Sequence, residues 1–293
     1  MKHCLAIDIG GTKLAAAIVK QDHIVQRVQC ETPHSNDPKQ LIAALTALLQ
    51  PLISSADYVA VASTGIINDG VLTALNPVNL GGLDQFPLVD VLSTITSLPV
   101  FAINDAQAAA WAEYAQLEHN VQDMAFITVS TGVGAGVVLN RNLITGARGV
   151  AGHAGHMQAD PMGKRCGCGR IGCVETIASG TAIAQRGKEI MGNVSSGKEV
   201  YDLFLSGDQQ AKEIIESSAK TIANLIADLT IALDLDVVVL GGSVGLAEGY
   251  VELVNDCLSS MPVIYQPKVL NAQAGADAGL IGVALWSKQQ LTK

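Results

Sequence analysis

An α/β protein in two lobes is the architecture this sequence predicts, and three observations predict it. Short apolar runs rich in Ile and Val alternate along the chain with longer stretches of helical spacing. A strand, glycine turn and strand at 4–19, CLAIDIGGTKLAAAIV, is echoed at 124–140 by MAFITVSTGVGAGVVLN. The length, 293 residues, is near the point where one core stops growing and the chain divides. The expected division is 1–117 and 118–293, with a C-terminal helix at about 277–290 able to pack back on the first lobe.

The elements follow in order. Gly10-Gly11 interrupts the apolar run 4–19 and turns one strand into the next. PKQLIAALTALLQPLI (38–53) has helical spacing and a proline at its start, where a missing N–H is tolerated. YVAVASTGII (58–67) reads as a buried strand ending in a glycine turn; LPVFAIND (98–105) is another strand, and AQAAAWAEYAQL (106–117) is the helix after it. Past the echo at 124–140, residues 208–234 read as one long helix and DVVVLGGSV (236–244) as a strand with a glycine turn. AGADAGLIGVALWSKQQ (274–290) closes as a helix, with Asp277 near its start.

Composition narrows the function. A net charge of -9 argues against a nucleic-acid or acidic-membrane surface. It leaves room for an anionic small ligand held by backbone amides and Mg²⁺. No apolar run reaches the ~18 residues of a membrane helix, and MKHCLAIDIGG enters a strand without the long apolar region of a signal peptide. The expected address is cytoplasmic, where clustered cysteines point to metal or catalysis rather than to disulfides.

Two glycine turns suit phosphate, and a third has another use. Asp8-Ile9-Gly10-Gly11-Thr12-Lys13 sets an acid before two glycines, a hydroxyl and a cation. Glycines admit a phosphate to successive N–H groups. Asp8 would hold Mg²⁺ through water, and Thr12 and Lys13 would contact phosphate oxygens. An ordinary hairpin reads equally well. Ser130-Thr131-Gly132-Val133-Gly134-Ala135-Gly136 offers a second such turn, followed by a strand instead of the helix a dinucleotide fingerprint requires. Gly241-Gly242-Ser243 is either a turn beside the base or ribose, through Gly242, or a structural turn. Asn104-Asp105 sits where a strand yields to a helix. Asp105 is then either an ionised cap or a carboxylate that accepts a substrate proton, and Asn104 could bond a sugar hydroxyl.

Residues 152–175, GHAGHMQADPMGKRCGCGRIGCVE, hold three of the six cysteines and two of the six histidines. Cys166, Cys168 and Cys173 with His156 make a Cys₃His set suited to tetrahedral Zn²⁺. A free-thiol loop is the alternative, and the C-x-x-C of a redox pair is missing. Such a shell is closed, so the metal would be structural. His153 is either a surface residue or a ligand contact, and Glu175 either a salt-bridge partner or a group held rigid by the metal loop.

Together DIGGTK, ND before a helix, STGVGAG, GHAGH and CGCGRIGCVE resemble the ROK family of sugar kinases and repressors, from residue 5 to about 286. The resemblance implies an actin-like (ribonuclease H-like) α/β fold, two lobes with ATP and sugar in the cleft between them, and a homodimer. Its repressors carry a helix-turn-helix ahead of the first phosphate turn, for which a turn at Asp8 leaves no room; the expectation is an enzyme. It implies that Asp105 is the catalytic base, Asn104 a sugar ligand, His156 a ligand of zinc that also faces a sugar hydroxyl, and Glu175 an acceptor of sugar hydroxyls. Most family kinases have G-E-x-G-H where this chain has His153. Replacing a carboxylate by an imidazole changes what the C1–C2 edge of the sugar may carry. That variant, with ASTGII and ALNPVNLGGL, resembles the members that act on N-acetylmannosamine, and it adds Ser63, Thr64, Gly65 and Asn79 as candidate sugar-site residues. The expected reaction is ATP- and Mg²⁺-dependent phosphorylation of the 6-hydroxyl in sialic acid breakdown. A glucose or N-acetylglucosamine kinase, or a non-catalytic zinc-containing sugar sensor, are the alternatives.

Overall fold

The computed structural model describes residues 2–33, 35, 37–76 and 79–291. The chain forms two compact units, one of Met1–Leu117, Leu143–Ala151 and Gln273–Lys293 and the other of Glu118–Asn142 and Gly152–Ala272.

In the first unit β1 (Cys4–Ile9), β2 (Lys13–Lys20) and β3 (His23–Glu31) form an antiparallel meander. α1 (Pro38–Leu49) follows, capped by Asp37, whose carboxylate accepts the Lys39 N–H at 3.0 Å. It ends short of residue 53 because Pro51 has no N–H to offer the Ala47 carbonyl. β4 (Tyr58–Ser63) leads to the small hairpin β5 (Ile66–Asn68) and β6 (Val71–Thr73), then α2 (Leu88–Thr96), β7 (Val100–Asn104) and α3 (Asp105–Tyr114). The sheet order is β3-β2-β1-β4-β7, with β1, β4 and β7 parallel.

Strand alternation divides the two faces of this sheet. Leu5, Ile7 and Ile9 pack with Leu41 and Leu45 of α1 and Leu88 and Leu92 of α2. Cys4 and Ala6, with Ala60 and Ala62 opposite, make a small-residue face. Asp8 shares the parity of that second face.

The second unit repeats the plan. β8 (Met124–Val129) and β9 (Val133–Leu139) are antiparallel and continue into β10 (Asn142–Ile144), of which only Asn142 belongs to this unit. After the cysteine-rich segment come α4 (Glu175–Ala178), α5 (Gly180–Met191), α6 (Gly197–Leu205) and α7 (Gln209–Leu233). β11 (Val237–Gly241), the short α8 (Gly242–Gly245), α9 (Tyr250–Ser259) and β12 (Lys268–Asn271) complete it. Its order is β10-β9-β8-β11-β12, with β8, β11 and β12 parallel. The echo seen at 4–19 and 124–140 therefore occupies the same place in both sheets. α7 runs 25 residues without a break because Ile215, Ala219, Ile222, Ile226 and Leu229 keep one buried stripe. It ends where Asp234 turns left-handed at φ 54°.

The chain then returns to the first unit as α10 (Ala278–Gln290), which lays Leu280, Val283 and Ala284 on the small-residue face. Gly282 rests against the Ala108 carbonyl, so a side chain there would force α10 off α3. Residues 143–151, which a linear division at 117 places in the second lobe, belong to the first unit instead. Gln107 of α3 explains this: its Nε2 donates to the Ala151 carbonyl at 3.0 Å and to that of Thr145 at 3.5 Å.

Candidate active site and metal centre

In the first unit the parallel strands end together, with Ile9 beside Ser63 and Ser63 beside Asn104. Ligands of open α/β sheets collect at such carboxyl ends. Asp8 is one residue back from that edge, Thr64 one residue beyond it, and Asp105 opens α3. The Thr64 N–H donates to the Ile9 carbonyl at 3.0 Å, tying the 63–65 loop to the first turn. Ser63 is fully buried and its Oγ donates to the Thr64 carbonyl at 3.1 Å. Gly65 has φ 100°, and a Cβ there would fall 2.8 Å from the Thr73 carbonyl. Asn79 opens the kinked turn Asn79–Gly82, in which Leu80 at φ 48° and Gly81 at φ 62° are left-handed, and its side chain lies outside the described residues.

Asn104 caps α3. Its Oδ1 accepts from the N–H of Ala106 at 2.9 Å and of Gln107 at 3.3 Å, and Gln107 returns a bond to the Asn104 N–H. Its Nδ2 donates to the Gly65 carbonyl at 2.9 Å and to that of Ser63 at 3.4 Å. The carboxamide is thus committed to holding Asp105 and the 63–65 loop, and only the longer donor direction is left for exchange with a ligand. Asp105 Oδ1 accepts from the Ala106 N–H at 2.8 Å. Burial raises the Asp105 pKa, while the amides at the start of α3 and the Asn104 side chain draw it down. Asp8 is pushed up to about 7, first by burial and then by the charge of Asp105; Arg27 opposes this and Asp277 adds to it. Arg27 Nε donates to Asp277 Oδ1 at 2.9 Å. Gly279 of α10 covers Asp8 so closely that a Cβ there would lie 2.8 Å from Asp8 Oδ2.

In the first glycine turn the Gly10 N–H donates to the Lys13 carbonyl at 3.0 Å and the Gly10 carbonyl accepts from Thr32 Oγ1 at 2.7 Å. Gly11, Thr12 and Lys13 stand exposed at its tip. In the second turn the Ser130 N–H donates to the Gly132 carbonyl at 2.9 Å, and the Thr131 carbonyl accepts from Thr181 Oγ1 at 2.8 Å. Val133 opens β9, and Gly134 faces Thr128 within the ladder, a step inside the turn's tip. The Val133 N–H donates to Glu175 Oε2 at 3.1 Å. A Cβ at Gly132 would sit 2.5 Å from the same oxygen, so a side chain there would push the Glu175 carboxylate aside. Gly242, at φ 87°, opens α8, with Thr128 Oγ1 only 2.7 Å from where its Cβ would be.

The cysteine-rich segment folds as paired short bridges, Arg165 to Ile171 and Gln158 to Cys173. Gly169 at φ 93° and Gly172 at φ 67° make the reversals, and the Cys166 N–H closes the loop on the Arg170 carbonyl at 2.8 Å. Ligand atoms of His156, Cys166, Cys168 and Cys173 then lie within 4.8 Å of one another. Cys168 and Cys173 sulfurs are 3.7 Å apart, and Cys166 Sγ is 3.6 Å from His156 Nδ1. Metal–sulfur bonds of about 2.3 Å in a tetrahedron give edges of about 3.8 Å, so the set fits one tetrahedral ion. His156 turns Nδ1 to this cluster, which leaves Nε2 for another partner. Burial and the neighbouring thiols push the Cys173 thiol up to about 12. His153 precedes the 3-10 turn Ala154–His156, and the two imidazoles stack with centroids 6.5 Å apart. Glu175 heads α4 two residues past Cys173, with Oε1 at 3.9 Å from Cys166 Sγ.

Sequence reasoning did not find Arg27, Asp277 or Gly279 around Asp8, nor the Val133–Glu175 bond. Arg27 and Asp277 are 250 residues apart, and nothing local marks them as partners.

The ROK family model matches residues 4–290. A relative named N-acetylmannosamine kinase from Haemophilus influenzae is 54% identical over 290 residues, 98% of this chain and 96% of its own. Another of that name, from Yersinia pseudotuberculosis, is 51% identical over 98% of this chain and 99% of its own. Among solved structures, the ROK hexokinase of Thermus thermophilus matches with a TM-score of 0.88 at 31% identity over 99% of both chains. The duplicated sheets are those of the actin-like, ribonuclease H-like sugar kinases.

Proposed function

This chain belongs to the ROK family, and from that premise we propose that it transfers the γ-phosphoryl group of ATP to the 6-hydroxyl of N-acetylmannosamine in sialic acid breakdown. The observation that carries the reading is identity of 51–54% over nearly the whole chain to relatives of that name.

Asp105 is the base. As the O6–Pγ bond forms and the bond from Pγ to ADP breaks, the O6 proton passes to the Asp105 carboxylate and ADP leaves. The transfer has a loose transition state, so the protein's work is positioning and charge stabilisation. Asn104 and the α3 amides hold Asp105 in place and keep enough ionised base despite burial. Asp8 would hold Mg²⁺, which supplies charge neutralisation to the phosphates. Gly10, Gly11, Thr12, Lys13, Thr131, Gly132, Val133 and Gly134 would take phosphate oxygens. Gly242 would border the nucleoside.

On the sugar, His156 Nε2 and Glu175 take ring hydroxyls, and His153 donates where a carboxylate would repel the acetamido substituent's carbonyl. Ser63, Thr64, Gly65 and Asn79 line the same sugar. His156, Cys166, Cys168 and Cys173 would hold Zn²⁺ in a structural role that would fix His156 and the loop that carries Glu175. The reading includes a cytoplasmic homodimer; among the described residues no helix is long and apolar enough to cross a membrane.

Phosphorus NMR of the product tests the reaction. The expected product is N-acetylmannosamine 6-phosphate, with ADP formed in equal amount; phosphate on the anomeric oxygen, or ADP formed without sugar phosphate, would contradict it.

A further inference from the structure

The second phosphate turn already has an anion on it, and the anion belongs to the protein. Glu175 Oε2 accepts the Val133 N–H at 3.1 Å and lies 2.5 Å from where a Cβ on Gly132 would be. A carboxylate oxygen on a turn amide, beneath a glycine, occupies the position a phosphate oxygen would take in a backbone nest. The same carboxylate is the group assigned to the sugar hydroxyls. It cannot serve both at full strength. It is anchored one residue before Thr176, whose Oγ1 holds the Cys173 carbonyl at 2.6 Å, so its backbone is fixed and only its side chain has freedom to move.

We propose that Glu175 is an exchangeable occupant of the second phosphate turn: sugar hydroxyls draw its carboxylate off the Val133 amide, and the freed amide and lost negative charge admit the nucleotide's phosphates. This deepens the kinase reading and rests on it. The consequence is a positive coupling between sugar and nucleotide, carried by one side chain within one unit. A nucleotide arriving without sugar meets a like charge and a blocked donor; one arriving after sugar meets neither. ATP is thereby kept from water until an acceptor is present. Linkage requires the coupling to be reciprocal, so nucleotide must tighten sugar by the factor by which sugar tightens nucleotide.

Calorimetry on the metal-loaded full chain reads this directly, with a non-hydrolysable ATP analogue as probe. Saturating N-acetylmannosamine is expected to tighten the analogue about tenfold, within the usual range of coupling. In Glu175→Gln, with metal content equal to the parent, the analogue is expected to bind several-fold tighter than to the parent without sugar, and sugar is expected to change it less than about twofold. Unchanged sugar-free affinity in Glu175→Gln overturns the proposal, because coupling would then be carried elsewhere. Should that variant lose metal or fail to fold, the parent's Val133 amide resonance decides: sugar alone is expected to shift it and speed its exchange, and an unmoved resonance overturns the proposal. Normal turnover of N-acetylmannosamine without these effects sinks this inference and leaves the kinase reading standing. Absence of turnover with any hexosamine removes both.

Discussion

The two glycine turns stand at the same place in their sheets, each joining the central strand to its antiparallel neighbour, yet they obtain their carboxylates differently. The first has Asp8 two residues ahead of it on its own strand, where the second has Thr128. The second borrows Glu175, 42 residues beyond Val133 and attached to the cysteine-rich loop. A carboxylate on a strand is fixed by the sheet; one at the head of α4, a four-residue helix, is only as fixed as the loop behind it. One duplicated frame therefore supports two tasks. The first turn suits a permanent cation partner, and the second suits a group that trades partners.

The largest expected effect breaks the first half alone. Asp105→Asn removes the base and should lower kcat by about 10³-fold, within the range for general-base loss, while sugar binding by calorimetry changes less than threefold, roughly the noise of neighbouring effects. Near-parent turnover would remove Asp105 from the role. The pH profile sharpens this. The base must be ionised, and burial raises its pKa, so kcat/KM should fall as pH drops, through a limb displaced upward from that of an ordinary carboxylate.

The second half breaks at the metal. Cys168→Ser should release the ion and weaken sugar binding by about 10–100-fold, as loss of an orienting metal shell does, with nucleotide binding affected much less. Equal losses of both would mean that the metal only holds the fold.

How far the sequence foretold this contrast depends on the range of each interaction. The echo of 4–19 at 124–140 was legible, because strand alternation and glycine turns are local. So was the clustering of His156, Cys166, Cys168 and Cys173, because these residues are close in sequence and chemically unusual. The return of 143–151 to the first unit was not, since it depends on the Gln107 side chain reaching carbonyls about 40 residues on. The family resemblance implies that Asn104 is a sugar ligand. Its side chain also makes a capping box and a bond to the Gly65 carbonyl, which residue type alone does not disclose. The helices α2, α5, α6 and α9 escaped a sequence reading that attended to motifs.

Smaller effects refine the comparison. His153→Glu restores the carboxylate found in most family kinases and should cut the preference for N-acetylmannosamine over N-acetylglucosamine by about tenfold, the worth of one hydrogen-bond rearrangement; unchanged preference would free His153 of that role. Smallest is Asp8→Asn in magnesium-free protein. The folded Asp8 pKa, about 7, exceeds its ordinary value of 3.8, so the folded state binds the extra proton and stability declines as pH rises between those values. Removing the charge should raise Tm by about 2–6 °C at pH 8 and leave it unchanged at pH 4. A lowered Tm at pH 8 would mean that Asp8 stabilises the fold it is thought to strain.

The central claim is the proposed one: a metal-stiffened loop selects an N-acetylated mannose for phosphorylation, with Asp105 as the base. ADP release across a panel of hexoses and hexosamines, on protein whose metal content has been measured, tests it most directly. The account predicts one metal ion per chain and kcat/KM for N-acetylmannosamine at least about tenfold above every other sugar, a step of about 1.4 kcal/mol in transition-state binding. Full turnover in metal-free protein, or a clear preference for glucose or N-acetylglucosamine, would contradict it.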